Sequence, residues 1–448
     1  MKFENKTPKV SCINSLAGFN HFLQHGQTKF RQFLANFLNL KEVRIQTHDI
    51  SDLMKWLHVD SLDIAMEVPG CEDEICVVSQ IITNNELVAY FPYVLKGQFV
   101  KKYLNTKSFL SKLSEAISDQ ITLCYLQDFV GGEWIFGENL ARMIISNCIS
   151  ENKYDSIKFA HLIEKFEQLA ASTFEGAFFP TGVIVSSDLS KYKRYERNFF
   201  EFKEARDIVD LDKREWFLAN GQESFFILDV NMKCSGIYRK SIPQLTNFIS
   251  EYFDEYYLTH DLMSPDFIVR TVGPNEIAVS DTDCKEYIKI ENIWRYRHQK
   301  NLAEFLVAHL QIEYKIAYSI MFYTLKCSRN HISSIIWIPN DSSEDAISDL
   351  TTTNRVRIWK NKLSILTESH QILLEKILAS DGAVVIEKDG QVLFESVFAN
   401  MSNTNASKVK LAGSGETAAQ ILASNGVAIK ISQDGMIKVF AGNNKIYY

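Results

Sequence analysis

The chain has 448 residues, of which 46% are hydrophobic and 23% are charged, so we expect a soluble globular protein with two or three domains. Its formal net charge of −7 excludes a global basic field that would gather nucleic acid or anionic lipid. The longest apolar stretches, such as 316–325, are shorter than the roughly 20 residues that span a bilayer, and the first ten residues lack the apolar core of a signal peptide. We therefore expect a cytoplasmic protein with no membrane and no nucleic acid as partner.

The cysteines predict no metal site. Eight are scattered along the chain, and only Cys71 and Cys76 lie close together, without the CxxC spacing of a zinc site. We expect reduced thiols that are mostly buried.

Residues 1–150 mix helical and strand-like patterns. Apolar residues recur at helical spacing over 109–117, whereas 75–78 and 87–91 are apolar runs typical of strands. This pattern predicts an N-terminal α/β module.

Residues 151–290 predict a second module of the α+β class. It opens with a helix from Tyr154, in which Phe159, Leu162, Ile163 and Phe166 recur at helical spacing. The remaining patterns predict a second helix over 244–262 and strands over 182–185, 224–228, 267–270 and 276–279. The module carries no catalytic signature, and we interpret it as a sensor module.

Residues 291–448 predict a mixed sheet flanked by helices. In chain order we first expect a long helix over 294–324, a strand over 335–338, a polar loop over 341–354 and a helix over 370–377. Strands over 383–386 and 392–394 follow, joined by a hairpin turn at 388–390. The last elements are a strand over 409–412, a helix over 417–423, and strands over 428–431 and 437–440. The whole chain is therefore of the α/β class, with two mixed modules ahead of this sheet.

Two glycine-containing motifs near the C-terminal end point to a phosphate ester. Asp381-Gly382-Ala383 opens a strand, and 413–419 is a glycine turn that leads into a helix. A carboxylate beside such a turn can hold a metal-bound phosphate. The turn also fits the GxGxxA dinucleotide fingerprint, with Asp434 about twenty residues on. However, a dinucleotide-binding unit has this motif at its first strand, and only a few dozen residues follow it here.

Together with Ser432-Gln433-Asp434-Gly435, these motifs resemble the nucleotide-binding pattern of the diadenylate cyclase domain family. In that family an Asp-Gly-Ala element, a Gly-Thr-Arg-His-Arg-Ala-Ala element and a Ser-Glu-Glu-Thr-Gly element surround ATP. The resemblance covers about residues 295–448. It implies a homo-oligomer in which two ATP molecules face each other across the C-terminal domains and condense to cyclic di-AMP.

The resemblance also implies roles for individual residues. Asp381 is the implied catalytic carboxylate, and Asp381 and Asp434 are the implied ligands of Mg²⁺ or Mn²⁺. The implied nucleotide-binding residues are Gly382, Ala383, Gly413, Ser414, Gly415 and Thr417.

The glycine turn departs from the family pattern in its charge. Where the family has Arg-His-Arg, this chain has Gly415-Glu416-Thr417. At about 4 Å, a carboxylate beside a triphosphate costs on the order of 4 kcal/mol in a surface-like dielectric. Compensating cations are therefore expected, and the candidates in the nearby sequence are Arg355, Arg357, Lys360 and Lys408, each of which is otherwise a solvated surface charge.

Three functions stay open at this point. One is a diadenylate cyclase controlled by N-terminal sensor modules, and another is a catalytically inactive pseudo-cyclase that binds ATP or a cyclic nucleotide. The third is a structural interaction protein that binds no nucleotide. Three further groups are interpreted as structural: His370 on its helix, the basic aromatic run 294–298 as the start of a helix, and the acidic and histidine-containing group 255–261 as a helix surface.

Overall fold

The computed structural model describes residues 11–12, 27–46, 50–83, 86–97, 107–126, 138–150, 155–174, 176–178, 180–193, 198–221, 224–239, 266–281, 285–402, 413–442 and 444–447. Contacts divide the chain into two compact units. Unit one comprises Met1–Lys240, Pro265–Asp281 and Tyr287–Tyr296, and unit two comprises Ser241–Ser264, Thr282–Glu286 and Arg297–Tyr448. None of the helices described is long and apolar enough to cross a membrane.

The chain is mixed α/β, as the sequence predicts. Its helices are α1 (Gln27–Phe37), α2 (Ile50–Leu57), α3 (Lys107–Leu126), α4 (Glu138–Ser150), α5 (Ser156–Ala171), α6 (Ser190–Lys193), α7 (Lys213–Trp216), α8 (Gln299–Leu310), α9 (Tyr314–Arg329), α10 (Glu344–Leu350), α11 (Gln371–Leu378) and α12 (Ser414–Leu422). Its strands are β1 (Ser11–Cys12), β2 (Glu42–Ile45), β3 (Ala65–Glu67), β4 (Glu74–Thr83), β5 (Glu86–Lys96), β6 (Thr173–Phe174), β7 (Ala177–Phe178), β8 (Gly182–Val185), β9 (Phe199–Asp207), β10 (Ser224–Leu228), β11 (Lys233–Arg239), β12 (Phe267–Gly273), β13 (Glu276–Asp281), β14 (Lys285–Ile290), β15 (Ile293–His298), β16 (Ser334–Ile338), β17 (Thr351–Val356), β18 (Ala383–Ile386), β19 (Val392–Ala399), β20 (Val427–Ile431), β21 (Ile437–Ala441) and β22 (Asn444–Tyr447).

Unit one is built on two larger sheets. One has the order β1-β5-β4-β3, with β2 also paired to β5, and the other has the order β15-β14-β13-β12-β8-β10-β11-β9. A single hydrophobic cluster extends from Phe30 on α1 to Tyr296 on β15. Both predicted modules, 1–150 and 151–290, contribute residues to this cluster, and their boundary stays a prediction.

Helix α5 shows how the sequence determines one of these elements. The Asp155 side chain accepts hydrogen bonds from the first backbone N–H groups of the helix, which is the usual N-cap arrangement. Phe159, Leu162, Ile163 and Phe166 are all buried on one face, as their spacing predicts.

Unit two contains a seven-stranded mixed sheet of order β17-β19-β18-β16-β20-β21-β22. Strands β16 and β18 are parallel, whereas the other neighbours in the sheet are antiparallel. Helices α10 and α12 share a hydrophobic cluster with Trp337 and Val385. The alternate residues Ile336 and Val384 are also buried, α11 contacts the same two strands, and α9 contacts β20. The predicted mixed sheet flanked by helices is confirmed.

Two predictions in unit two are wrong. The segment predicted as one helix over 294–324 starts as strand β15 and continues as α8 and α9, which are separated at Gln311 by a left-handed backbone with φ of 55°. The predicted polar loop 341–354 contains α10, whose first turn is capped by the Ser343 side chain, and the first part of β17. The predicted helix 244–262 and strand 409–412 lie outside the described residues.

The cysteines whose side chains are described are free thiols. Cys71 and Cys148 are half-buried, and Cys76, Cys234 and Cys327 are buried. Burial raises the pKa of each of these three buried thiols to about 12, so they are protonated at neutral pH.

Candidate functional site

The two glycine-containing motifs meet at one end of the unit-two sheet. Strands β16 and β18 are parallel and in register at Ile335 and Ala383, so both begin at this end. Strand β20 is antiparallel to β16 and ends beside it, since Ser334 is paired with Ile431. The first turn of α12 lies at the same end, because residues of that turn line a cavity together with the strand starts.

This cavity has a volume of about 630 Å³. Such a volume lies within the range of about 300–1,000 Å³ that is usual for small-molecule sites. Its walls come from the strand starts 333–335 and 380–383, the end of β19 with Met401, the turn 413–416, and Lys430 and Ser432 at the end of β20. Separate segments between residues 333 and 432 therefore form one concave surface.

The Asp381-Gly382 backbone is held in an arrangement that requires glycine. Gly382 has a φ of +98°, and a Cβ atom built on it would lie 2.3 Å from Ser396 Oγ. Ser396 Oγ donates a hydrogen bond of 2.7 Å to the Asp381 carbonyl oxygen, and the Gly382 N–H donates one of 2.9 Å to Asp381 Oδ1. These bonds fix the exposed Asp381 carboxylate at the wall of the cavity.

Helix α12 begins without a side-chain cap from the described residues. Its N-cap residue, Gly413, has extended backbone, and its carbonyl oxygen accepts hydrogen bonds from both the N–H and the hydroxyl of Thr417, at 3.1 and 3.0 Å. The first N–H groups of a helix have no acceptor within the helix, and they carry partial positive charge. Ser414 and Gly415 bring this end of the helix to the cavity.

Among the described residues that line the cavity, Lys430 is the one cation. Its Nζ donates hydrogen bonds to Ser333 Oγ at 2.7 Å and to the Ile431 carbonyl oxygen at 2.8 Å. Burial lowers the pKa of Lys430 below its ordinary value, although the carboxylates of Asp434 and Glu416 oppose this shift. The ammonium group is therefore partly desolvated.

Glu416, which the sequence places in the glycine turn as an uncompensated negative charge, is paired. Its carboxylate forms an ion pair with Lys438, and both side chains are largely buried. Lys438 is directly opposite Lys430 in the pairing of β20 with β21. The repulsion expected from Glu416 is therefore compensated by a cation that follows it by 22 residues in the chain.

The predicted site residues divide into two groups. Asp381, Gly382, Ala383, Gly413, Ser414 and Gly415 line the cavity, whereas Thr417 and Asp434 are not among its lining residues. The Thr417 hydroxyl bonds within its own helix. Asp434 lies in the turn after β20, where its Oδ1 accepts a hydrogen bond of 3.0 Å from the Met436 N–H.

The cavity offers a metal ion few protein ligands. Asp381 and Glu416 are the acidic residues among the described lining residues, and Glu416 is engaged by Lys438. In the part of the chain that is described, no group of three or more His, Cys, Asp or Glu side chains is arranged to hold a metal ion. Mg²⁺ commonly binds to one or two carboxylates and completes its shell with water and substrate phosphates, so a single carboxylate is compatible with this mode.

The three described cations that the nearby sequence suggests are not at the cavity wall. Arg355 Nη1 lies 3.7 Å from Glu344 Oε1, and Arg357 and Lys360 are exposed. None of these three is a lining residue. Lys408 lies outside the described residues.

The other candidate groups are structural where they are described. His370 Nδ1 accepts a hydrogen bond of 3.0 Å from the Ser364 N–H, which confirms a packed histidine. The basic aromatic run 294–298, interpreted as the start of a helix, is strand β15, in which Arg297 is only 1% exposed. The group 255–261 lies outside the described residues.

Unit one has a smaller polar cavity of about 260 Å³. It contains Arg142 and Lys289, and both of these cations pair with the buried carboxylate of Glu167. Its charges are therefore largely satisfied by one another, and we assign it no function.

Sequence reasoning missed Lys430 and Lys438. Lys430 could have been identified from the sequence, because it lies inside the apolar strand Val427–Ile431 and a charge in a buried strand needs a polar environment. No comparable signal marks Lys438. Its pairing with Glu416 depends on the register of β21, which local sequence does not specify.

No protein-family model matches the chain, and no curated protein matches it significantly.

Proposed function

We propose that unit two binds ATP in the cavity beside Asp381 and acts as a diadenylate-cyclase-like nucleotidyltransferase. In this reaction the 3′-hydroxyl of each ATP attacks the α-phosphate of the other. Two phosphodiester bonds form, two pyrophosphates leave, and the product is cyclic di-AMP. The two hydroxyl protons are transferred to a base, a role that we give to the Asp381 carboxylate.

One observation supports this proposal above the others. Asp381-Gly382-Ala383 and the turn 413–416 line the same cavity of about 630 Å³. These are the two motifs on which the resemblance to the cyclase family rests most strongly. An uncapped helix N-terminus and a nearby carboxylate are suited to a phosphate chain and to its metal ion, respectively.

The metal that we propose is Mg²⁺ or Mn²⁺ bound with the nucleotide. Asp381 would supply its protein ligand, and the ion would neutralise phosphate charge and lower the pKa of the attacking hydroxyl. Asp434 stays a proposed second ligand. Its charge acts on Lys430 at the cavity wall, although Asp434 itself is not a lining residue.

The chemistry requires a second subunit. Each ATP supplies both an attacking hydroxyl and a leaving pyrophosphate, so two sites have to face each other. We therefore propose a homo-oligomer formed through unit two, located in the cytoplasm, with the N-terminal modules acting as sensors that control the pairing.

The direct test is product formation. The full-length protein is incubated with ATP and Mn²⁺, and the products are separated by chromatography. We expect cyclic di-AMP from the wild type and none from Asp381→Asn, with melting temperatures that differ little because Asp381 is exposed. The matched control is Asp389→Asn, since Asp389 is exposed and follows the opposite end of β18. Equal turnover by the wild type and Asp381→Asn would refute the assignment.

A second candidate is binding without turnover. It is favoured by the position of Asp434, because the cavity presents one uncommitted carboxylate where a pair was predicted. In this case ATP or a cyclic dinucleotide raises the melting temperature of the protein, but no cyclic di-AMP is formed. The same incubation therefore separates the two candidates.

A further inference from the structure

The wall of the cavity carries a pair of lysines in an unfavourable arrangement. Lys430 and Lys438 are directly opposite each other on the antiparallel strands β20 and β21. Like charges at directly opposite positions destabilise a sheet. The Glu416 carboxylate, from the first turn of α12, forms an ion pair with Lys438. The fold therefore already uses one carboxylate to reduce the repulsion between these two lysines.

Lys430 occupies space that only a glycine leaves open. A Cβ atom on Gly415 would lie 2.8 Å from Lys430 Cε, which is closer than real Cβ contacts allow. The lysine stem thus packs against the first turn of α12, where the helix N–H groups carry partial positive charge. Both the ammonium group and this uncapped turn belong to the same cavity wall.

These charges favour an anion larger than one carboxylate. Glu416 engages Lys438, whereas the bonds of Lys430 in the structure go to neutral oxygens of Ser333 and Ile431. A phosphate oxygen on Lys430 would replace a neutral partner with a charged one and would add a direct attraction between opposite charges. Because Lys430 is partly desolvated, the gain on pairing is larger than at an exposed lysine.

We infer that Lys430 and the first turn of α12 form a subsite for the phosphate chain of the ligand, and that Glu416 acts as an internal competitor by holding Lys438. This inference rests on the proposed function only for the identity of the nucleotide. Lys430 thereby supplies the positive charge that the glycine turn itself lacks.

The test uses isothermal titration of the full-length protein with two probes, ATP and inorganic tripolyphosphate. The variants are Lys430→Gln, which removes the cation, and Glu416→Gln, which removes the competitor. Lys360→Gln is the matched control, because it deletes the same charge from an exposed lysine that does not line the cavity. Melting temperatures check that each variant is folded, and Lys430→Arg provides a charge-preserving variant.

We expect Lys430→Gln to bind both probes about 10- to 100-fold more weakly, as for the loss of a charged hydrogen bond. Lys430→Arg retains more of the affinity than Lys430→Gln. Glu416→Gln binds tripolyphosphate at least about 3-fold more tightly, because it removes a negative charge from the cavity wall. Lys360→Gln binds like the wild type.

The probes separate this inference from the proposed function. If the wild type binds tripolyphosphate through Lys430 and shows no preference for ATP, the phosphate subsite is supported and the nucleotide proposal is contradicted. Equal affinities of the wild type and Lys430→Gln for both probes overturn the subsite, while ATP binding itself would still stand. If the wild type binds neither probe, both are refuted. If Lys430→Gln does not fold, Glu416→Gln provides the test. The inference is then overturned if Glu416→Gln binds tripolyphosphate no more tightly than the wild type does.

Discussion

Substitution of Gly415 by alanine separates the stability of unit two from its ability to bind phosphate. The added methyl carbon would lie 2.8 Å from Lys430 Cε and 3.4 Å from Lys430 Nζ. One of the two has to move. The lysine is the flexible partner, because the atoms that clash are at the far end of its side chain, whereas the methyl group is fixed to the helix backbone.

The cost in stability is small because two terms oppose each other. Replacing glycine by alanine within a helix stabilises it by about 0.5–1 kcal/mol. Displacing Lys430 loses its 2.7 Å hydrogen bond to Ser333, which contributes about 0.5–1.5 kcal/mol. The net change in the free energy of unfolding is therefore within about 1 kcal/mol of zero, or a few degrees in melting temperature.

The effect on binding is large by comparison. The displaced ammonium group no longer lies against the first turn of α12, so we expect tripolyphosphate affinity to fall about 10-fold or more. Titration calorimetry measures the affinity, and thermal denaturation measures the stability. In Gly413→Ala the new methyl group meets no atom of the described residues within 4 Å, so a smaller loss of affinity is expected. Wild-type affinity in Gly415→Ala would refute the role given to Lys430.

Two further predictions concern buried charges. Arg297 is 1% exposed and its Nη2 donates hydrogen bonds to Ser328 Oγ and to the Gly435 carbonyl oxygen, whereas the fully buried Glu286 also pairs with Arg329 at 2.8 Å. Arg297→Met should therefore lower the free energy of unfolding in urea by about 1–3 kcal/mol, and an unchanged free energy of unfolding would contradict this. Burial opposes the ionisation of Glu74, but the Lys96 hydrogen bond and the Arg44 charge outweigh it and lower the Glu74 pKa. Its stabilisation is full above the unfolded pKa of about 4.3 and is lost as pH falls through the lowered folded pKa. Glu74→Gln should therefore lower the free energy of unfolding by about 1–2 kcal/mol at pH 7. This difference from the wild type should disappear in acid, and a difference that does not change with pH would contradict the role given to Glu74.

The elements of unit two that were predicted correctly have strong local signals. The apolar runs at 335–338, 383–386 and 428–431 are strands, and the turn before β19 has Gly390 at a φ of +86°. The error at 294–298 has a local cause. Aromatic residues and arginine alternate at 294–297 with the period of a strand, and this signal was overlooked because the arginines suggested an exposed helix face, whereas Arg295 and Arg297 are both buried in β15.

The site was predictable in its glycines and in Asp381, but not in its electrostatics. Glycine turns depend on nearby residues, so Gly382 and Gly413 could be identified from sequence alone. The cations come from β20 and β21, and their positions depend on a register between strands that is set by tertiary packing. For the same reason Glu416 was interpreted as repulsive, although the fold pairs it with Lys438.

We propose that an adenine nucleotide occupies the cavity beside Asp381. Photo-crosslinking with an azido derivative of ATP, followed by mass spectrometry of the digested protein, tests this claim most directly. We expect labelled peptides from 380–402 or 413–432, and we expect unmodified ATP to suppress the labelling. Labelling confined to unit one, or labelling that excess ATP does not reduce, would contradict the account.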